Sequence, residues 1–209
     1  HQFALNGLRE PSVLNVHSLG GFGVLLFFSI SGFLVMQSWE ADPNVFRFGV
    51  KRFLRIWPGF AVVITLTALV LGPCISTLSL QDYYAHPLVK DYFNNLQFSL
   101  RDQLPLTFVG NALPTAINGP IWTIPLEVKC YLALAVLGLA GLLRGKGLVT
   151  TLLTAALVFV YAVLEPRGDR IVNGLQWVPE QRYLLEFGLF FFAGVIICKY
   201  KVTETRNRG

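Results

Sequence analysis

Residues 20–38 read GGFGVLLFFSISGFLVMQS, nineteen positions without a charged side chain. Crossing about 30 Å of hydrocarbon takes roughly 20 helical residues, because only a helix satisfies its own backbone groups where no water reaches them. Stretches at 57–74, 120–143, 147–164 and 183–198 meet the same condition, and 147–164 (GLVTTLLTAALVFVYAVL) is again uncharged. The whole chain agrees with its parts. Of 209 residues, 54% are hydrophobic and 14% charged, against about 45–50% and 25% in a soluble domain. That is too little polar surface to coat a soluble fold. The expected class is all-α, a polytopic transmembrane helix bundle with five spans visible.

The net charge of +5 points to topology rather than to nucleic acid once it is located. If the first span runs outside to inside, segments 39–56, 144–146 and 199–209 are cytoplasmic and carry ten Lys or Arg in 32 positions. The external segments 1–19, 75–119 and 165–182 carry six in 82. Basic residues are retained on the cytoplasmic side, and the bias holds at every turn. Membrane lipids are therefore an expected partner and nucleic acid is not. The chain opens with His1, already outside, and shows an odd number of spans. The expectation is one integral membrane domain over 1–209, lacking an N-terminal span and a C-terminal part.

Three segments carry chemistry. In the first span, Gly23, Ser29, Ser31 and Gly32 are small enough for neighbouring helices to approach closely. The second segment, 39–56, reads as a cytoplasmic basic interfacial helix: Phe46, Phe53 and Trp57 supply its apolar side, and Pro58 suits the first turn of the next span. Arg52 and Arg55 share a helix face with Lys51 beside them, and paired guanidiniums bind phosphate or pyrophosphate bidentately. An anchor for lipid headgroups is the competing reading. The third segment runs from Asn118 to Tyr131. It sets Trp122 at the outer end of a span and Glu127 and Lys129 inside it, where charges are costly. Two apart, these charges do not face each other, and the ordinary alternative is a snorkelling lysine and a capped or paired glutamate.

Cys74, Cys130 and Cys198 lie in apolar runs at spacings that suit neither a zinc site nor a disulfide framework, so all three are expected to be buried apolar groups and no metal site is expected. His86 and Asp91 form an isolated H-x4-D that reads as coincidence in an external loop. That loop, 75–119, holds Tyr83, Tyr84, Tyr92, Phe93 and Phe98, whose faces suit sugars or else pack over the bundle.

The order and spacing of these pieces resemble the acyltransferase 3 family of integral membrane proteins, which O-acetylate surface polysaccharides and related acceptors. The residues that carry the resemblance are Gly23-Val24 with Phe27 to Leu34, then Arg52-x-x-Arg55-Ile56-x-Pro58, then Trp122-Thr123-Ile124 with Glu127 and Tyr131. Leu25 departs from the pattern, since many members have an acidic residue there. The resemblance implies a ten-span domain in the cell membrane, the bacterial inner membrane. It implies acetyl-CoA (acyl-CoA) as donor substrate, with no bound cofactor, held by Lys51, Arg52 and Arg55. It implies a surface polysaccharide or lipid-linked glycan as acceptor, with Trp122 stacking on a sugar. It places a catalytic His at the outer end of a first span; His1 occupies the matching position and His17 is the alternative. Glu127, the second catalytic candidate, would orient partners or help form the acceptor cleft. The competing functional class is a transporter or flippase subunit with Glu127 and Lys129 lining its path, although no inverted repeat is visible.

Overall fold

The computed structural model describes residues 12–13, 17–107, 109, 117–143, 154–156 and 179–207, with side chains for 20–107, 109, 117–143, 154–156 and 183–200. The fold is all-α and polytopic. Among the described residues, four helices are long and apolar enough to cross a membrane: Gly20–Ala41, Val45–Ile75, Gly119–Leu139 and Tyr183–Tyr200. The expected span at 147–164 lies outside the described residues except for a helical stretch at 154–156. Two short strands, β1 (Ser12–Val13) and β2 (His17–Ser18), pair antiparallel before the first helix, with Val13 opposite His17.

The chain divides into two compact units, one holding Gly49–Glu127 and the other Ser12–Phe48 with Val128–Gly209. In the latter, α1 (Leu19–Ala41) packs against the long α7 (Pro179–Asn207). Glycine makes that crossing possible. A methyl group on Gly32 would collide with the Phe191 carbonyl, and one on Gly194 with the Ser29 carbonyl. Small residues at both faces let the backbones touch, the means by which helices associate where lipid removes the hydrophobic drive. Gly23 takes no part, since a methyl group there would meet nothing within 4 Å.

Rings fill the rest of this unit. Phe28 stacks on Phe187 at 4.9 Å, and Phe191 lies 6.0 Å from Tyr131. The buried Ser31 hydroxyl meets the Tyr131 hydroxyl at 3.1 Å, and Ser29 returns its hydroxyl to the Leu25 carbonyl. At the basic end, Lys199 is 8% exposed, pairs with Glu40 at 3.1 Å and donates to the Leu143 carbonyl.

The basic stretch is not a separate interfacial helix. After the turn 42–44 it forms the first part of α2 (Val45–Leu66), in which Pro58 is interior rather than initial. A proline removes the donor to the carbonyl four residues back. That residue is Leu54, on an exposed face, and the helix runs through.

Beyond Leu66 the helix widens into a π turn, Thr67–Leu71, before α3 (Gly72–Ile75). The Gly72 N–H donates to Thr67 instead of Ala68, and Pro73 has no N–H to give. The carbonyls of Ala68 and Leu69 thereby lose their α-helical donors. Two consecutive tyrosines on α4 (Leu80–Ala85) replace them: the Tyr83 hydroxyl donates to Ala68 at 2.9 Å and the Tyr84 hydroxyl to Leu69 at 2.8 Å. Gly72 leaves the space for this, because a methyl there would strike the Tyr83 hydroxyl.

The segment 75–119 is thus folded rather than an open loop over its described length. Ser79 caps α4 by accepting from the Asp82 N–H. His86 caps α5 (Pro87–Tyr92), its Nδ1 accepting from the Leu88 N–H at 3.2 Å. Asn95, 1% exposed, donates to the Tyr92 and Arg101 carbonyls and accepts from the Arg101 N–H. Tyr83, Tyr92, Val89 and Leu104 join Phe60, Ile64, Ala68, Ile117 and Ile121 in one apolar core.

Candidate functional site

Lys51, Arg52, Arg55, Trp122 and Glu127 all lie in the unit that holds Gly49–Glu127. Lys51, Arg52 and Arg55 occupy the second and third turns of α2. Lys51 and Arg55 are exposed; Arg52 is half-buried, with Nε and Nη1 withdrawn from solvent. The cluster therefore sets two solvent-exposed cationic side chains beside one partly sheltered guanidinium. Such a set suits an anion with several oxygens, because guanidinium geometry matches phosphate and partial desolvation strengthens each contact.

At the far end of α2 lies a second group. Fifteen residues separate Arg52 from Thr67, about 22 Å of helix axis at 1.5 Å per residue. There the Asn118 amide donates to the Thr67 hydroxyl at 2.6 Å and to the Tyr92 hydroxyl at 3.2 Å. Asn118 has a left-handed backbone, φ 56°, which asparagine tolerates better than most residues. Its carbonyl accepts from the Ile121 N–H at 3.0 Å and starts the 3-10 turn Gly119–Trp122. That turn leads directly into α6 (Thr123–Leu139). Trp122 is half-buried at this end, and Glu127, 4% exposed, sits about one and a half turns further in. Lys129 is exposed, so the two charges diverge as their spacing requires. Glu186 on α7 is also buried, at 5% exposure.

His1 lies outside the described residues. For His17 only the strand backbone is described. The structure therefore sets Lys51, Arg52 and Arg55 together and Trp122 above Glu127.

The loop tyrosines Tyr83 and Tyr92 resolve into their packing alternative, and the cysteine expectation is corrected at one position. Tyr83 and Tyr92 are 0% exposed and their hydroxyls hold backbone and Asn118, so they do not offer ring faces to a sugar. Burial pushes the Tyr83 phenol up to about 12, helped by Tyr84 and Tyr92 nearby, and burial likewise raises Tyr92. Cys130 and Cys198 are buried, but Cys74 is exposed. It follows Pro73 on the open side of α3, which an apolar sequence context does not reveal. His86 and Asp91 serve as a helix cap and as a partner of Arg101 at 2.9 Å, in keeping with a coincidental H-x4-D. Among the described residues, no three His, Cys, Asp or Glu gather in a group able to hold a metal ion.

Sequence reasoning misses Thr67 and the hydrogen-bonding roles of Asn118, Tyr83 and Tyr84. The available signal is Gly72-Pro73 inside an apolar run, which announces orphaned carbonyls and hence a need for outside donors.

Two known proteins are similar to this chain. An O-acetyl transferase of Shigella phage Sf6 is 29% identical over 201 residues, covering 96% of this chain and 58% of its own length. Nodulation protein 10 of Rhizobium leguminosarum bv. viciae is 34% identical over 121 residues, covering 55% of this chain and 32% of its own length. The chain thus spans little more than half of the first relative and a third of the second. No solved structure matches it. The profile of the acyltransferase domain of the acyltransferase 3 family matches residues 2–209. This multi-pass membrane chain belongs to the acyltransferase 3 family.

Proposed function

We propose that this chain forms part of an integral cell-membrane O-acetyltransferase, one that moves an acetyl group from acyl-CoA to a hydroxyl of a cell-surface glycan. The observation that carries the reading is the polarity of α2 and α6. A cationic cluster for a polyphosphate donor sits at one end, and an aromatic, amide- and hydroxyl-bearing group at the other. Family membership and the similar O-acetyl transferase support it.

On this reading Lys51, Arg52 and Arg55 hold the phosphates of acyl-CoA from the cytoplasmic side, and Trp122 stacks on a sugar of the acceptor. His1 takes the proton of the acceptor hydroxyl as its oxygen attacks the thioester carbonyl. The C–S bond then breaks and CoA leaves as a thiolate, which the imidazolium protonates. General-base help of this kind contributes about 10²–10⁴-fold. Glu127, buried in the span, orients the groups around the reacting centre.

The test follows labelled acetyl from acetyl-CoA into envelope glycans in isolated membranes, for the wild type, His1→Ala and His17→Ala. Loss of about 10²-fold or more in His1→Ala alone, at equal protein level, is the expected result. Loss in His17→Ala alone moves the base to that residue. Absence of transfer in the wild type overturns the reading.

A further inference from the structure

The π turn and the Trp122 segment are tied by one side chain. We propose that Asn118 is a positioning residue: its amide, held by Thr67 of the π turn and by Tyr92, fixes Trp122 in register for the acceptor. The assignment of Trp122 to the acceptor rests on the acyl-transfer reading above.

Four observations converge on Asn118. Its two side-chain bonds end on groups that are themselves buried: Thr67 is 5% and Tyr92 0% exposed. The preceding residue, Ile117, is buried and donates its N–H to the Asp102 carbonyl at 2.7 Å. The Asn118 carbonyl begins the turn that ends at Trp122, and the Thr123 hydroxyl closes the same turn on the Pro120 carbonyl at 3.0 Å. The φ of 56° aims the chain from the 117 side into the helix. Four residues separate the amide from the indole, so a small rotation at Asn118 displaces the ring.

The anchor itself is built rather than incidental. Thr67 faces Asn118 because the π turn adds a residue to that stretch of α2, and π turns of this kind are frequent at functional sites. Tyr83 and Tyr84 satisfy the carbonyls that the turn frees. Tyr92, at the end of α5, then supplies the second acceptor. The folded segment between the two spans thus acts on the acceptor end through Asn118, while Tyr83 and Tyr92 keep their rings in its core.

The experiment uses the protein in lipid nanodiscs with hydrogen exchange of the 119–123 amides. Transfer of labelled acetyl from acetyl-CoA to the envelope glycan fraction is measured alongside. Asn118→Asp and Asn118→Gly both tolerate a left-handed backbone but lose the amide donor; Thr67→Val loses the acceptor; Thr67→Ser restores it. We expect exchange at 119–123 to rise about tenfold in the first three, the effect of losing one to two hydrogen bonds, and to return to wild type in Thr67→Ser. Transfer falls about tenfold in the same three variants through the acceptor KM, with the acetyl-CoA KM within about twofold of wild type, since the cationic cluster is at the opposite end. Unchanged exchange in Asn118→Asp and Asn118→Gly overturns the proposal whether or not transfer is seen. A parallel rise in the acetyl-CoA KM also overturns it, as the mark of general misfolding. If the wild type transfers nothing while exchange responds as expected, the hold of Asn118 on the segment is supported and the acyl-transfer reading is what fails.

Discussion

Tyr83 and Tyr84 are neighbours in sequence, yet their hydroxyls do unequal work. Tyr83 is wholly buried against Ala68, whereas Tyr84 is 49% exposed beside Leu69. Removing a hydroxyl strands a carbonyl, and the cost is the desolvation of that carbonyl where water cannot replace the donor. Tyr83→Phe is expected to lower stability by about 1–3 kcal/mol and Tyr84→Phe by less than about 1 kcal/mol, read as thermal unfolding in detergent. Equal losses would contradict the assignment. Tyr83 also sets a pH dependence. Its pKa rises from 10.0 unfolded to about 12 folded, so the folded state favours the neutral phenol. That contribution is complete below pH 10 and is lost as pH climbs from 10 towards 12. Alkaline unfolding should be less steep across this window in Tyr83→Phe than in wild type. None of this is legible residue by residue. Composition shows an aromatic loop but not which hydroxyls face backbone, because that depends on where α2 departs from α geometry.

At the level of elements, α1 and α7 meet through glycine. Gly32→Leu or Gly194→Leu forces backbones apart that now touch at the Phe191 and Ser29 carbonyls. Overpacking costs typically 1–3 kcal/mol, and here no rotamer relieves it, so the upper end is expected in detergent unfolding; Gly23→Leu, facing open space, should be near neutral. Small-residue packing is legible in the first-span motif, but not which of its small residues pack. A second element-level prediction concerns Lys199, which joins Glu40 on α1 to the carbonyl of Leu143. Lys199→Met leaves Glu40, only partly exposed, without its cation and should destabilise by about 2–3 kcal/mol, whereas the exposed Arg47–Asp42 pair at 3.5 Å should contribute under about 1 kcal/mol when Arg47 is replaced by Met. Pro58 suggests a helix boundary because interior proline usually breaks a helix; the real irregularity comes fourteen residues later, at Gly72-Pro73.

For the molecule as a whole, class and span positions are legible because hydrocarbon thickness imposes length and polarity on every crossing segment. The four spans among the described residues overlap four of the five read from sequence. The family is legible from motif order. The arrangement of the site is only half legible: the Arg pair and the Trp122–Glu127 segment stand out as polar groups in apolar surroundings, while the supports that aim them are ordinary residues with unusual neighbours. The proposed acyl transfer hinges on the basic end of α2 receiving an acyl-CoA. A titration of labelled acetyl-CoA in isolated membranes, comparing wild type with Arg52→Ala/Arg55→Ala at equal protein level, puts that to the test. The apparent acetyl-CoA KM is expected to rise about tenfold or more through loss of charge-assisted phosphate contacts, with transfer recovering at high donor concentration. An unchanged KM would contradict a donor site at this end.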